Sequence, residues 1–149
     1  LLNGQGGADR VNVLLDTNVL SEPLRELPDP AVMAQLESEE HVLHTASVVI
    51  HELSYGIHRL PSGRKQQRLN SYLQGLLTSD LAVLPYDGKA ALWHGEQRAR
   101  LDARGLRPQF ADGQIAAIAA TQALVVVARN TADFEAFQGL DVLNWFSQS

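Results

Sequence analysis

Five short apolar runs punctuate the chain, at Val11–Leu15, Val42–Thr45, Ala82–Leu84, Leu124–Ala128 and Asp141–Leu143, and helical patterns fill the gaps. The first run, interrupted only by Asn12, has the length and content of a buried strand. Pro30, after Asp29, is a favoured first helical residue and opens a short helix toward Glu39. From Ala46 onward, Val49, Ile50, Leu53, Ile57 and Leu60 recur at helical spacing and make one buried stripe. Pro61-Ser62-Gly63 breaks that helix, and another follows through about Leu77. Asp87 is positioned to cap a helix running to Arg104, with Gly105 ending it. A further helix carries Asp112, Ile115, Ala116, Ala119 and Ala123 on one face. Helices alternating with short apolar strands predict a single α/β domain on a largely parallel sheet.

Composition narrows this picture. A chain of 149 residues suffices for one complete core, and 45% hydrophobic content is that of a globular protein. The absence of cysteine excludes disulfides, cysteine-based zinc sites and a thiol nucleophile. The longest apolar run, ALVVVA at 123–128, is far short of the roughly 18 residues of a membrane span. The first ten residues, LLNGQGGADR, lack the basic and apolar regions of a secretory signal. The expectation is a flexible tail over residues 1–10, a domain over 11–146, and a soluble cytoplasmic protein with no membrane partner.

The net charge of −5 argues against a generally basic surface for nucleic acid. The charges are nonetheless uneven. No acid falls between Leu53 and Ser79, where Arg59, Arg64, Lys65 and Arg68 cluster. Arg98, Arg100, Arg104 and Arg107 form a second group diluted only by Asp102. Solvated helix faces and phosphate binding both account for such groups.

Four carboxylates are candidates for chemistry. Asp16 stands just past the end of the first strand, where open α/β sheets hold their ligands. Glu52 lies at the edge of the helical stripe of Val49, Ile50 and Leu53, and taken alone is a solvent-facing residue. His51-Glu52 also suggests a zinc-protease helix, but the second histidine that motif needs is replaced by Tyr55. Asp112 shares the apolar face of Ile115, Ala116 and Ala119, an expensive place for a charge. An N-terminal cap and a functional role are both open for it. Asp133, in ARNTADFEAF, follows the end of another buried strand; capping of the next helix from Asn130 or Thr131 would account for it fully. Gathered in one pocket without a lysine or arginine, these acids would repel one another, and divalent cations relieve that cost. Oxygen ligands without cysteine or clustered histidine suit Mg²⁺ or Mn²⁺ rather than zinc. Two such ions about 3.5–4 Å apart can activate water for phosphodiester hydrolysis.

LLDTNVLSEPLR, VVIHELSYGI, FADGQIAAIAATQ and VVARNTADFEAF, in this order, resemble the PIN-domain ribonucleases, most nearly the VapC and FitB-type toxins of bacterial type II toxin–antitoxin pairs. The resemblance runs over almost the whole chain from Val11. It implies a Rossmann-like α/β/α sandwich and an endoribonuclease that hydrolyses RNA with water activated by Mg²⁺ or Mn²⁺. Position by position it implies Asp16 and Asp112 as principal metal ligands, completed by Glu52 and Asp133 directly or through water. Asn18 and Thr131 match the family's supporting polar positions. The resemblance also implies a homodimer and an antitoxin partner, with operator DNA bound only through the toxin–antitoxin complex.

Other readings compete. A haloacid-dehalogenase-like phosphatase would use Asp16 as nucleophile, yet needs an acid where Asn18 stands. A nucleotide-binding Rossmann enzyme is disfavoured because GQGG at 4–7 precedes the first strand. A catalytically silent PIN fold serving as a binding or scaffold module is opposed by the presence of all four acids.

Overall fold

The computed structural model describes residues 10–147. Residues 1–9, where a tail is expected, lie outside the described residues, while Arg10 donates from its guanidinium to the carbonyls of Glu39 (3.1 Å) and His41 (3.3 Å). Among the described residues the strands are β1 (Val11–Leu15), β2 (His41–Ala46), β3 (Ala82–Leu84), β4 (Val125–Val127) and β5 (Val142–Leu143). They form one sheet in the order β3-β2-β1-β4-β5, parallel throughout. β1 is central: Val13 is in register with Leu43 on one side and Val125 on the other. That position is why Val13, Leu14 and Leu15 are wholly buried, and why this segment is an apolar run rather than an alternating one.

The helices flank the sheet in an α/β/α arrangement: α1 (Thr17–Leu20), α2 (Pro30–Glu37), α3 (Ser47–His58), α4 (Arg64–Leu77), α5 (Gly88–Ala103) and α6 (Phe110–Thr121). One-turn 3₁₀ segments follow α1, at Glu22–Leu24, and β4, at Thr131–Phe134. None of the described helices is long and apolar enough to cross a membrane. Asp29 caps α2, accepting from the amide of Ala31 at 2.8 Å, and its carboxylate also accepts from the amide and hydroxyl of Ser147 at 2.8 Å each. Asp87 caps α5 through the amide of Ala90 at 2.9 Å. The core joins Leu14 and Leu15 of β1, Leu101 of α5, Ile115 and Ile118 of α6, and Phe134. Each such buried side chain contributes roughly 1.5–3 kcal/mol.

Two expectations change. Ala123 is not on the face of α6: the helix ends at Thr121, and Ala123 takes a left-handed conformation with φ of 56°. The amide of Leu124 then bonds the carbonyl of Ala119 at 2.9 Å, closing the helix so that β4 can begin. After β4, the expected helix is a single 3₁₀ turn. Phe134 and Phe137, both buried three residues apart, fit a short wound segment folded back on the sheet.

The connectivity fixes where a ligand can bind. The chain steps outward from β1 to β2 to β3, then crosses back to place β4 on the other side of β1. The crevice at the carboxyl ends of β1 and β4 is therefore the switch point of the sheet. There the amide of Asp16 donates to the carbonyl of Val127 at 2.9 Å.

Candidate active site

Asp16 is the first residue beyond β1 and the N-cap of α1, with extended backbone (φ −77°, ψ 169°). Its Oδ1 accepts from the amide of Thr17 at 2.8 Å, and its carbonyl accepts from the amides of Val19 and Leu20 at 3.1 and 3.0 Å. Burial pushes its carboxyl up to about 6, opposed by the Thr17 amide and reinforced by the charges of Glu52 and Asp133.

Glu52 lies on α3, which packs on both α1 and α6. Although exposed, its Oε1 accepts the hydroxyl proton of Thr17 at 2.8 Å, so the side chain is drawn toward the turn after β1. Thr17 is the residue that sequence reasoning missed. Its signal was a hydroxyl directly after the strand-end acid.

Asp112 is the third residue of α6. Gln109 holds the N-cap position without a side-chain cap bond, and Asp112 is left with its charge half-buried. The capping role therefore falls away. Burial raises its carboxyl to about 6, followed by the charges of Asp133, Asp16 and Glu52. Asp133, in the 3₁₀ turn after β4, is exposed, and its Oδ1 accepts from Nδ2 of Asn130 at 3.1 Å. Thus Asn130 orients the acid instead of capping with its own oxygen. Thr131 opens the same turn, half-buried, while Asn18 is exposed on α1.

The structure thus brings Asp16, Glu52, Asp112 and Asp133 within electrostatic reach of one another, from the ends of β1 and β4 and from α3 and α6. Among the described residues no three acidic or histidine side chains enclose an ion as they stand. The donor chemistry nonetheless fits a hard divalent cation: the candidate ligands are carboxylate oxygens, and burial with neighbouring acids raises the carboxyls of Asp16 and Asp112. Glu52 and Asp133 are exposed, each held by one side-chain hydrogen bond, from Thr17 and from Asn130.

The basic residues divide. Arg100 is structural, its Nη2 donating to Gln97 Oε1 and to the carbonyl of Ala136, both at 2.8 Å. Arg98 lies 5.3 Å from the centre of the Phe110 ring, and Arg107 is exposed, 3.7 Å from Asp102. A depression of about 330 Å³ joins Arg107 and Gln109 to Asp112 and Asp133.

The PIN domain family profile matches residues 13–140. The VapC ribonuclease Y4jK of Sinorhizobium fredii is 34% identical over 135 residues, covering 89% of this chain and 96% of its own. Toxin FitB of Neisseria gonorrhoeae is 35% identical over 127 residues, covering 82% and 90%. The solved structure of FitAB bound to an IR36 DNA fragment superposes with a TM-score of 0.80 at 31% identity, covering 92% of this chain and 98% of its own. With the switch-point crevice and the motif order in agreement with these matches, the chain belongs to the PIN-domain family, among the VapC and FitB toxins.

Proposed function

We propose that this protein is a metal-dependent endoribonuclease, the toxin of a toxin–antitoxin pair, and that Asp16, Glu52, Asp112 and Asp133 form its active site. The observation that carries the reading is the convergence of acids at the switch point between β1 and β4, where burial and neighbouring acids raise the carboxyls of Asp16 and Asp112 to about 6. Asp16 and Asp112 would hold Mg²⁺ or Mn²⁺, with Glu52 and Asp133 completing the set. When bound, the cation lowers the cost of deprotonating water and of charge on the phosphate oxygens. The protein's own contributions are positional. The Thr17 amide orients Asp16, the Thr17 hydroxyl restrains Glu52, and Asn130 restrains Asp133. Asn18 and Thr131 are the supporting polar groups of the same reading.

The partners follow the same family logic. FitAB is a complex bound to DNA, and on that precedent this chain pairs with a cognate antitoxin and meets operator DNA only through it. A homodimer, one PIN domain over residues 11–146 and action on cytoplasmic RNA complete the proposal.

The test is cleavage of single-stranded RNA by the purified chain with Mg²⁺ or Mn²⁺, its loss in EDTA, and its loss in Asp16→Asn and Asp112→Asn. Cleavage surviving both substitutions would place the chemistry elsewhere. No cleavage of any RNA together with no calorimetric metal binding would favour the scaffold role.

A further inference from the structure

Beside the carboxylate crevice lies a second cavity, of about 400 Å³, between α5 and the start of α6. Arg107, Pro108 and Gln109 line both this cavity and the depression that holds Asp112 and Asp133, so the two adjoin across these residues. Its volume lies within the range of small-ligand pockets. Phe110, the first residue of α6, is 51% exposed at this cavity, two residues before Asp112. An aromatic ring left half in water at a pocket mouth is poorly explained by the core. The Arg98 guanidinium lies 5.3 Å from its centre, and the buried imidazole of His94 packs at 4.8 Å between ring centroids. His94 is itself held by Tyr86, whose hydroxyl meets Nδ1 at 2.8 Å, so the ring that backs Phe110 is fixed.

Arg98 at the half-exposed ring and Arg107, 3.7 Å from the Asp102 carboxylate that also lines the cavity, leave the lining with one net positive charge, a setting for a flat ligand carrying negative charge. Bases of single-stranded RNA stack on aromatic rings and on arginine planes, whereas duplex bases are already stacked on each other. We propose that this cavity receives one base of a single-stranded RNA, stacked against Phe110 and Arg98, with Arg107 on the phosphate that leads to Asp112. The inference rests on the ribonuclease reading and assigns to it a nucleotide subsite. It also supplies local positive charge at a crevice whose acids would otherwise repel the substrate.

The probe is a short single-stranded RNA carrying 2-aminopurine, titrated against the full chain with Asp16→Asn so that it is not consumed. Phe110→Ala is expected to weaken binding about tenfold and abolish 2-aminopurine quenching, while Phe110→Trp retains both. Arg107→Gln should lower the salt dependence of binding by about one counterion, while Arg98→Gln should weaken binding and 2-aminopurine quenching together. Phe110 is half exposed, so the alanine variant is expected to fold; its melting curve checks this. Unchanged RNA affinity in Phe110→Ala, or equal losses in the alanine and tryptophan variants, would overturn the subsite. So would unchanged RNA affinity alongside lost antitoxin binding, which would assign the cavity to the protein partner. RNA cleavage by the chain with Asp16 restored shows that the ribonuclease reading stands even where the subsite fails. A chain that neither binds nor cleaves RNA defeats both.

Discussion

The hydroxyl of Thr17 donates to Oε1 of Glu52 at 2.8 Å, joining the turn after β1 to the helix α3. The bond links two acids that the chain separates widely, because Thr17 also gives its amide to Asp16. One residue thus sets the orientation of two proposed ligands. Removing the hydroxyl in Thr17→Val is expected to lower RNA cleavage about tenfold, as outer-shell changes at metal sites do. The melting temperature should hardly move, since the bond is exposed. Thr17→Ser should restore activity. Full activity in Thr17→Val would show that Glu52 needs no such restraint.

Stability in the metal-free protein should depend on pH in an unusual direction. Asp16 and Asp112 bind protons more tightly folded than unfolded, since their carboxyls rise from 3.8 to about 6. Their contribution is therefore fully present below about pH 4 and is lost as pH rises through 6. Asp29 acts oppositely: its bonds to Ser147 hold its carboxyl below the usual range, so its contribution disappears only in stronger acid. Melting temperature without metal should thus fall between pH 4.5 and 7.5, and Mg²⁺ or Mn²⁺ should recover it most at the higher pH. Asp16→Asn should flatten the slope and stabilise the metal-free chain at pH 7.5, by on the order of 2 kcal/mol. A slope unaltered by that substitution would refute the assignment of the effect to this site.

Gly113 is tied to its identity by a neighbour rather than by its backbone angles. A Cβ there would stand 2.2 Å from Nε2 of His94, a ring that is buried and hydrogen-bonded to Tyr86. Alanine should gain about 1 kcal/mol of helix propensity. Overpacking against a fixed ring outweighs it, so Gly113→Ala is expected to destabilise by about 1–2 kcal/mol. In a His94→Ala background the same change should be neutral or stabilising, as read from denaturant midpoints. Equal penalties in both backgrounds would mean the imidazole is not the obstacle.

Ala123 offers the opposite case. Its φ of 56° carries the steric cost of a side chain in left-handed backbone, and it is exposed at the end of α6. Ala123→Gly is expected to raise stability by about 0.5–1 kcal/mol, or about 1–4 °C in melting temperature. A lower melting temperature would show that the helix end relaxes to another conformation.

Much of this molecule is legible along the chain, and the illegible parts share a cause. The central strand and Asp16 stand out because an apolar run buried on both faces stops at an acid. Asp112 is visible as a charge on an apolar helical face, and the parallel order follows from alternating elements. Ala123 misleads because alanine continues the helical period, while the need to start β4 at Val125 ends the helix first. Thr17–Glu52, Asn130–Asp133 and His94–Gly113 are encounters in space or choices of rotamer, which no periodicity records. Composition likewise conceals that Arg100 is bound to a backbone carbonyl while Arg98 faces an aromatic ring.

The central place of β1 also fixes an order of events during synthesis. Asp16 leaves the ribosome long before β4, yet its strand is flanked on one side by β4. A nascent chain lacking residues beyond α5 has the first acid and neither Asp112 nor Asp133. The crevice therefore closes only after the chain through Thr131–Phe134 has been made, since pairings of such long sequence separation form late. Polypeptides cut short before Asp133 are thereby barred from possessing the site.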